Sequence, residues 1–176
     1  MKILRPLLLL AAAAALAFWL WTIFFPDEEQ LIRKHLVATA RAASFSSNEG
    51  ALARIGNIAE LSECFTPDVE LKFDVPRQGQ FEVSGRDEIL AVAARVRDSG
   101  RTVTVEFLDV TVQVGDDRQV ASAVLTARAK VPGEDNFSVQ EMKFFLKKIN
   151  GRWLINRVET VKTLSTMQRY DLAQAP

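Results

Sequence analysis

Few side chains in this sequence can exchange a proton near neutral pH, and they are scattered along the chain. His35 is the only histidine, and Asp74, Glu106 and Glu141 are carboxylates set among apolar neighbours. Acid–base catalysis needs such groups in positioned pairs. His35 falls beside Ile32 and Leu36 on a helical stripe, where a half-buried boundary histidine is the simpler reading than a general base. Asp74 is out of phase with Val69, Leu71, Phe73 and Val75, which sets it on the wetter side of a strand. Glu106 and Glu141 could point into a cavity, although cross-strand pairing with Arg128 or Lys143 accounts for them more simply. Asp74, Glu106 and His35 are therefore the only candidates for a catalytic role, and the residues by themselves assign none of them.

Other chemical templates are missing from the sequence. It contains no glycine-rich phosphate loop, no GxSxG elbow, no paired histidines for zinc and no acidic loop of the calcium-binding type, so no metal or cofactor is expected. The single cysteine, Cys64, excludes an intramolecular disulfide and reads as a small core residue between Leu61 and Phe65. Lys plus Arg equals Asp plus Glu at 22 each, a balance with no basic footprint for nucleic acid. The aromatic residues Phe73, Phe107, Phe144 and Trp153 are first of all core; lining an open cavity, they would form an apolar ligand pocket.

The elements that must position these residues follow from periodicity. The last third, Arg101 to Leu164, holds four segments of alternating polar and apolar residues. Short turns separate them at Gly115-Asp116-Asp117, Pro132-Gly133-Glu134-Asp135 and Asn150-Gly151, which predicts an antiparallel sheet. Within the first segment the apolar phase moves from Val103, Val105 and Phe107 to Leu108, Val110, Val112 and Val114, so a bulge or strong bend is expected there. Upstream, Asp27 caps a helix over about 27–44 with Ile32, Leu36, Val37, Ala40 and Ala43 at helical spacing. Leu52, Ile55, Ile58 and Ala59 mark a second helix, ended by Thr66-Pro67-Asp68. Val69 to Val75 and Phe81 to Val83 form a strand pair, and Arg86 to Ser99 a third helix burying Ile89, Leu90, Ala93 and Val96.

Leu7 to Phe25 is an uncharged run of 19 residues, long enough as a helix to span about 28 Å of bilayer. Lys2 and Arg5 precede it and Asp27, Glu28 and Glu29 follow. The positive-inside rule then places the N-terminus in the cytoplasm and the following domain on the periplasmic, extracytoplasmic side. The alanines around Ala15-Leu16-Ala17 also suit a signal-peptide cleavage site, but cleavage there would leave a free and very apolar start at Phe18. The expected organisation is a membrane anchor at 1–26, one domain at 27–164 and a loose tail at 165–176.

Glu63-Cys64-Phe65-Thr66-Pro67-Asp68-Val69, Val83-Ser84-Gly85-Arg86-Asp87-Glu88-Ile89 and Gly151-Arg152-Trp153-Leu154-Ile155 carry a resemblance to the nuclear transport factor 2-like superfamily, which includes the SnoaL-like cyclases and ketosteroid isomerase. The resemblance covers Asp27 to Leu164. It implies an α+β fold, a cone-shaped curved antiparallel sheet covered by three helices. It also admits a homodimer through the outer sheet face. The enzymes of that superfamily use acidic, tyrosine, histidine or arginine side chains inside the cone, and Asp74 comes nearest to the base of the isomerase-like members. Tyr170, the only tyrosine, falls in the tail, so an isomerase-like tyrosine donor is not expected. The resulting expectation is a membrane-tethered binding domain for a small apolar ligand or an envelope protein partner. The alternative is a small isomerase, hydrolase or cyclase acting through cone-lining carboxylates.

Overall fold

The computed structural model describes residues 27–75, 79–131 and 137–166. The expected membrane segment, the Pro132–Asp135 turn, most of the loop after Val75 and the tail beyond 166, with Tyr170, lie outside them. Among the described residues three helices cover one face of a six-stranded sheet. The helices are α1 (Glu28–Ala43), α2 (Ala51–Ser62) and α3 (Arg86–Asp98). The strands are β1 (Phe65–Val75), β2 (Gly79–Ser84), β3 (Thr104–Val114), β4 (Val120–Lys130), β5 (Phe137–Ile149) and β6 (Arg152–Thr166), in the order β2-β1-β6-β5-β4-β3. Neighbouring strands are antiparallel except β1 with β6, which run parallel.

The pairing register is interrupted at five places, two of them in β6 opposite Val139/Gln140 and Glu141/Met142, and these irregularities curl the sheet into a cone. Between Leu108 and Thr111 strand β3 has one residue more than β4, and Asp109 sits there at φ 52°. The extra residue reverses parity, so Val105 and Phe107 face inward before it and Val110, Val112 and Val114 pack on the core after it. A second bulge lies opposite Phe145 and Leu146, where β6 changes its inward residue from Ile155 to Val158. Another separates Phe65 from Glu70 in the parallel pairing. At the last hairpin Asn150 and Gly151 both have positive φ, 51° and 77°, as the dipeptide leads one to expect.

Helix α1 lies in the hollow of the cone along β3. Asp27 caps it, accepting from the Glu29 N–H at 3.0 Å, and Ile32, Leu36 and Ala40 are buried, whereas Val37, expected on the same stripe, lies at its edge and is 65% exposed. The Arg33 guanidinium donates to the Val110 carbonyl, the Val105 N–H donates to Ser44 Oγ at 2.9 Å, and Phe45 pairs with Val103. The helix therefore runs from the hairpin end of the sheet, at its first turn, toward the start of β3 at its last.

Four further expectations need correction. Leu52 and Ile55 do not face the core: they are 86% and 67% exposed, because α2 packs only along α1 and α3 and presents Leu61 alone to the interior. Strand β1 begins at Phe65, earlier than expected, since Pro67 sits where the ladder with β6 is interrupted and no N–H is required of it. On α3, Val96 is exposed and Arg97 is buried, its guanidinium donating to the Ala42 carbonyl in the last turn of α1 and lying 5.4 Å from the Phe45 ring. Backbone pairing of Ser165 and Thr166 with Val139 and Ser138 extends β6 into the first residues assigned to the tail.

Candidate functional site

The cone encloses a cavity of about 340 Å3. Thr39 and Ala43 of α1, Leu61 of α2 and Ile89 of α3 close it from the helix side. Phe65, Leu71 and Phe73 come from β1, Val105 and Phe107 from β3, Ala127, Arg128 and Ala129 from β4, Gln140, Met142 and Phe144 from β5, and Val158 from β6. Its deep wall, with Leu61, Phe65, Met142, Phe144 and Val158, is buried, whereas Phe73, Val105, Ala129 and Gln140 are only half-buried and form the mouth. The small Ala127 and Ala129, in a strand otherwise able to carry larger residues, leave the space that a helix contact does not fill. Phe107 and Phe144 meet edge to face, with ring centroids 5.2 Å apart at 62°.

Polar groups at this cavity are few and mostly engaged. Thr39 Oγ1 donates to the His35 carbonyl at 2.9 Å. Gln140 is fixed at the mouth: its Nε2 donates to the Asp74 carbonyl at 2.8 Å, and its Oε1 accepts from Thr160 Oγ1 at 3.3 Å. The Arg128 guanidinium turns to Glu106 at 3.3 Å. Among the described residues no carboxylate or histidine lines the cavity.

The sequence candidates divide accordingly. Phe73, Phe107 and Phe144 converge on one apolar space, as an aromatic pocket requires. Trp153 does not join them. It sits at the hairpin end beneath the start of α1, where its indole N–H donates to Glu28 at 2.8 Å. None of the three catalytic candidates lines the cavity. Asp74 is exposed and contributes its backbone to the Gln140 and Thr160 network. Glu106 is held across the strand by Arg128 and, at 4.0 Å, by Lys130. Glu141 lies opposite Thr126 and Lys162 in the sheet.

His35 belongs to a second, more polar hollow with Glu60, Glu63, Cys64, Arg152 and Trp153. Its Nε2 lies 3.3 Å from the Cys64 carbonyl, which can only accept, so Nε2 carries the proton. Burial holds this imidazole below its usual pKa despite that hydrogen bond, and burial pushes the Cys64 thiol up. Neither group is poised as a base or a nucleophile. Sequence reading missed Gln140 and Met142 as cavity residues, since a lone glutamine in a strand carries no signal until its register opposite Asp74 and Thr160 is known.

A curved sheet with helices in its hollow and an apolar cavity between them defines a cone-shaped α+β domain of the cystatin-like, nuclear transport factor 2-like kind. The family model of the SnoaL-like domain matches residues 49–154, well over half of the chain, and the chain belongs to that family. No curated protein matches it. Among solved structures, it is similar to a nuclear transport factor 2-like protein with a cystatin-like fold from Novosphingobium aromaticivorans, at 18% identity and a TM-score of 0.59, covering 86% of each chain. It is similar too to a protein of unknown function from Nostoc punctiforme (14%, 0.59, 78% of this chain and 92% of that one). A third likeness is to a Novosphingobium aromaticivorans protein provisionally assigned as a scytalone dehydratase (16%, 0.53, 85% and 95%). At such identities the likeness establishes the fold alone.

Proposed function

We propose that the domain binds a small, neutral, largely apolar molecule in the cone and does not transform it, and that residues 7–25 tether it to a membrane with the domain on the extracytoplasmic side. The cavity itself carries this reading. A space of about 340 Å3 lined by four phenylalanines, a methionine and aliphatic side chains has the size and character of a small-molecule site. The charged side chain among the described lining residues, Arg128, is already paired with Glu106, so an ion would lose its hydration there without a free counter-charge and an uncharged ligand fits. The Gln140 amide at its mouth donates one N–H to Asp74 and has a second to offer an acceptor on the ligand.

An isomerase, hydrolase or cyclase would need a proton-transferring side chain against the ligand. Among the described lining residues Thr39, Arg128 and Gln140 are the polar ones, and none is a general base at neutral pH. The dehydratase assignment therefore stays with the protein that bears it. No helix among the described residues is long and apolar enough to cross a membrane, so the tether rests on the composition of residues 7–25. The test of binding is a titration of the full chain in nanodiscs with indole and 2-naphthol, followed by ligand-observed NMR against empty nanodiscs. Saturable binding abolished by Ala127→Phe supports the reading, and signals equal to those of the empty discs refute it.

A further inference from the structure

We propose that the tips of the β3–β4 and β5–β6 hairpins rest on the surface of an anionic bilayer, holding the mouth of the cavity away from the lipid and open to water. This rests on the reading of residues 7–25 as a membrane segment and assigns to the domain an orientation that the segment alone does not.

The first support is the shortness of the connection. Three peptide units separate Phe25, the last residue of the apolar run, from Glu28, a reach of at most about 11 Å. Glu28 is not free to swing from the domain. Its carboxylate takes the Lys148 ammonium at 2.5 Å and the Trp153 indole N–H at 2.8 Å. Those two residues flank the β5–β6 turn, so the turn is held close to wherever Phe25 leaves the bilayer. The β3–β4 tip is bound to the same place through the Lys148 N–H, which donates to the Gln119 carbonyl at 2.8 Å.

The second support is what the tips present. Val120 and Ile149 are 47% and 39% exposed at this end of the sheet. Lys147, opposite Val120 in the ladder, and Arg118 stand beside them. Apolar side chains flanked by cations match the boundary between acyl chains and anionic headgroups. Of the two acidic residues at the β3–β4 tip, Asp117 turns its carboxylate back onto the Gln119 N–H at 2.9 Å, and Asp116 is exposed, as Arg118 is.

The third support is where the cavity opens. Its half-buried rim, with Val105, Ala129 and Gln140, lies at the far ends of β3, β4 and β5 from these turns. About nine strand residues intervene, or about 30 Å. A ligand then enters from the aqueous phase and not by lateral diffusion from the bilayer.

The experiment uses the full chain, with Cys64 replaced by Ser, reconstituted in vesicles of phosphatidylcholine with phosphatidylglycerol. A nitroxide is placed at Ile149→Cys or at Lys130→Cys, and its accessibility to oxygen and to a water-soluble nickel chelate is measured. The expected result is a several-fold higher ratio of oxygen to chelate accessibility at position 149 than at 130. Val120→Cys serves as a second reporter from the same end should Ile149→Cys fail to fold by circular dichroism. Arg118→Glu combined with Lys147→Glu lowers that ratio in the anionic vesicles and not in phosphatidylcholine alone. Equal, water-like accessibility at both ends in a chain that withstands carbonate extraction overturns the docking and leaves the membrane segment standing. Release of the chain by carbonate overturns both.

Discussion

Trp153 donates its indole N–H to the Glu28 carboxylate at 2.8 Å, joining the first turn of α1 to the strand that follows the last hairpin, 125 residues away. Lys148 completes the cluster, 2.5 Å from the other carboxylate oxygen and 5.6 Å from the Trp153 ring centre. An acid in the first turn of a helix is favoured by the dipole wherever the helix lies. Here it also fixes the helix in the hollow of the sheet.

Glu28→Ala leaves a buried indole N–H and a largely buried ammonium without their acceptor. The expected loss is about 2–3 kcal/mol in denaturant-induced unfolding, with Glu28→Gln losing less because its amide oxygen still accepts from Trp153. Burial pushes the Glu28 carboxyl up, but the hydrogen bonds from Lys148 and Trp153 outweigh it and hold it below its ordinary 4.5. The unfolded chain thus takes the proton first. The contribution of Glu28 is present above pH 4.5 and fades as the pH falls through its folded value. A Glu28→Gln chain unfolding over the same acid range as the wild type would contradict this.

His35 gives stability a second, milder pH dependence of the same sign. Burial lowers its folded pKa below 6.5, so the unfolded chain binds the proton more strongly and stability declines as the pH drops below that value. Urea midpoints compared at pH 7.5 and pH 5 should fall for the wild type and change less for His35→Gln. The same difference in both proteins would remove His35 from the account.

The bulge in β3 makes a conformational prediction. Asp109 occupies the left-handed region at φ 52°, which costs a β-branched residue about 1–2 kcal/mol and glycine nothing. Asp109→Val should lower the melting temperature, and Asp109→Gly should leave it unchanged or raise it. Equal melting temperatures for the two would show that the bulge is not held as described.

Filling and emptying the cavity should have opposite consequences. Ala127→Phe places a ring in existing space and should keep the fold while abolishing binding of neutral aromatic probes. Phe144→Ala enlarges a buried wall and should cost about 3–5 kcal/mol. Differential scanning calorimetry and probe titration on the same two proteins separate the effects.

Alternation in the last third of the chain was enough to define β3 to β6, the turns after Val114 and at Asn150-Gly151, and the bulge in β3, because a strand with one dry face must repeat every two residues and a bulge must break that repeat. The same logic put Asp74 on the wet side and Phe73 on the dry one. Composition likewise separated residues 7–25 from everything after them. Helical spacing misled at Leu52 and Ile55, since periodicity shows that a helix has an apolar face and not whether anything covers it. Parity could not say that Phe73, Phe107 and Phe144 meet around one space while Trp153 seals the opposite end. Those relations depend on strand order, on the parallel pairing of β1 with β6 and on the curl produced by the breaks in register. Local residue patterns choose each element and its inward face; only long-range pairing decides which inward faces are brought together and how much room is left between them.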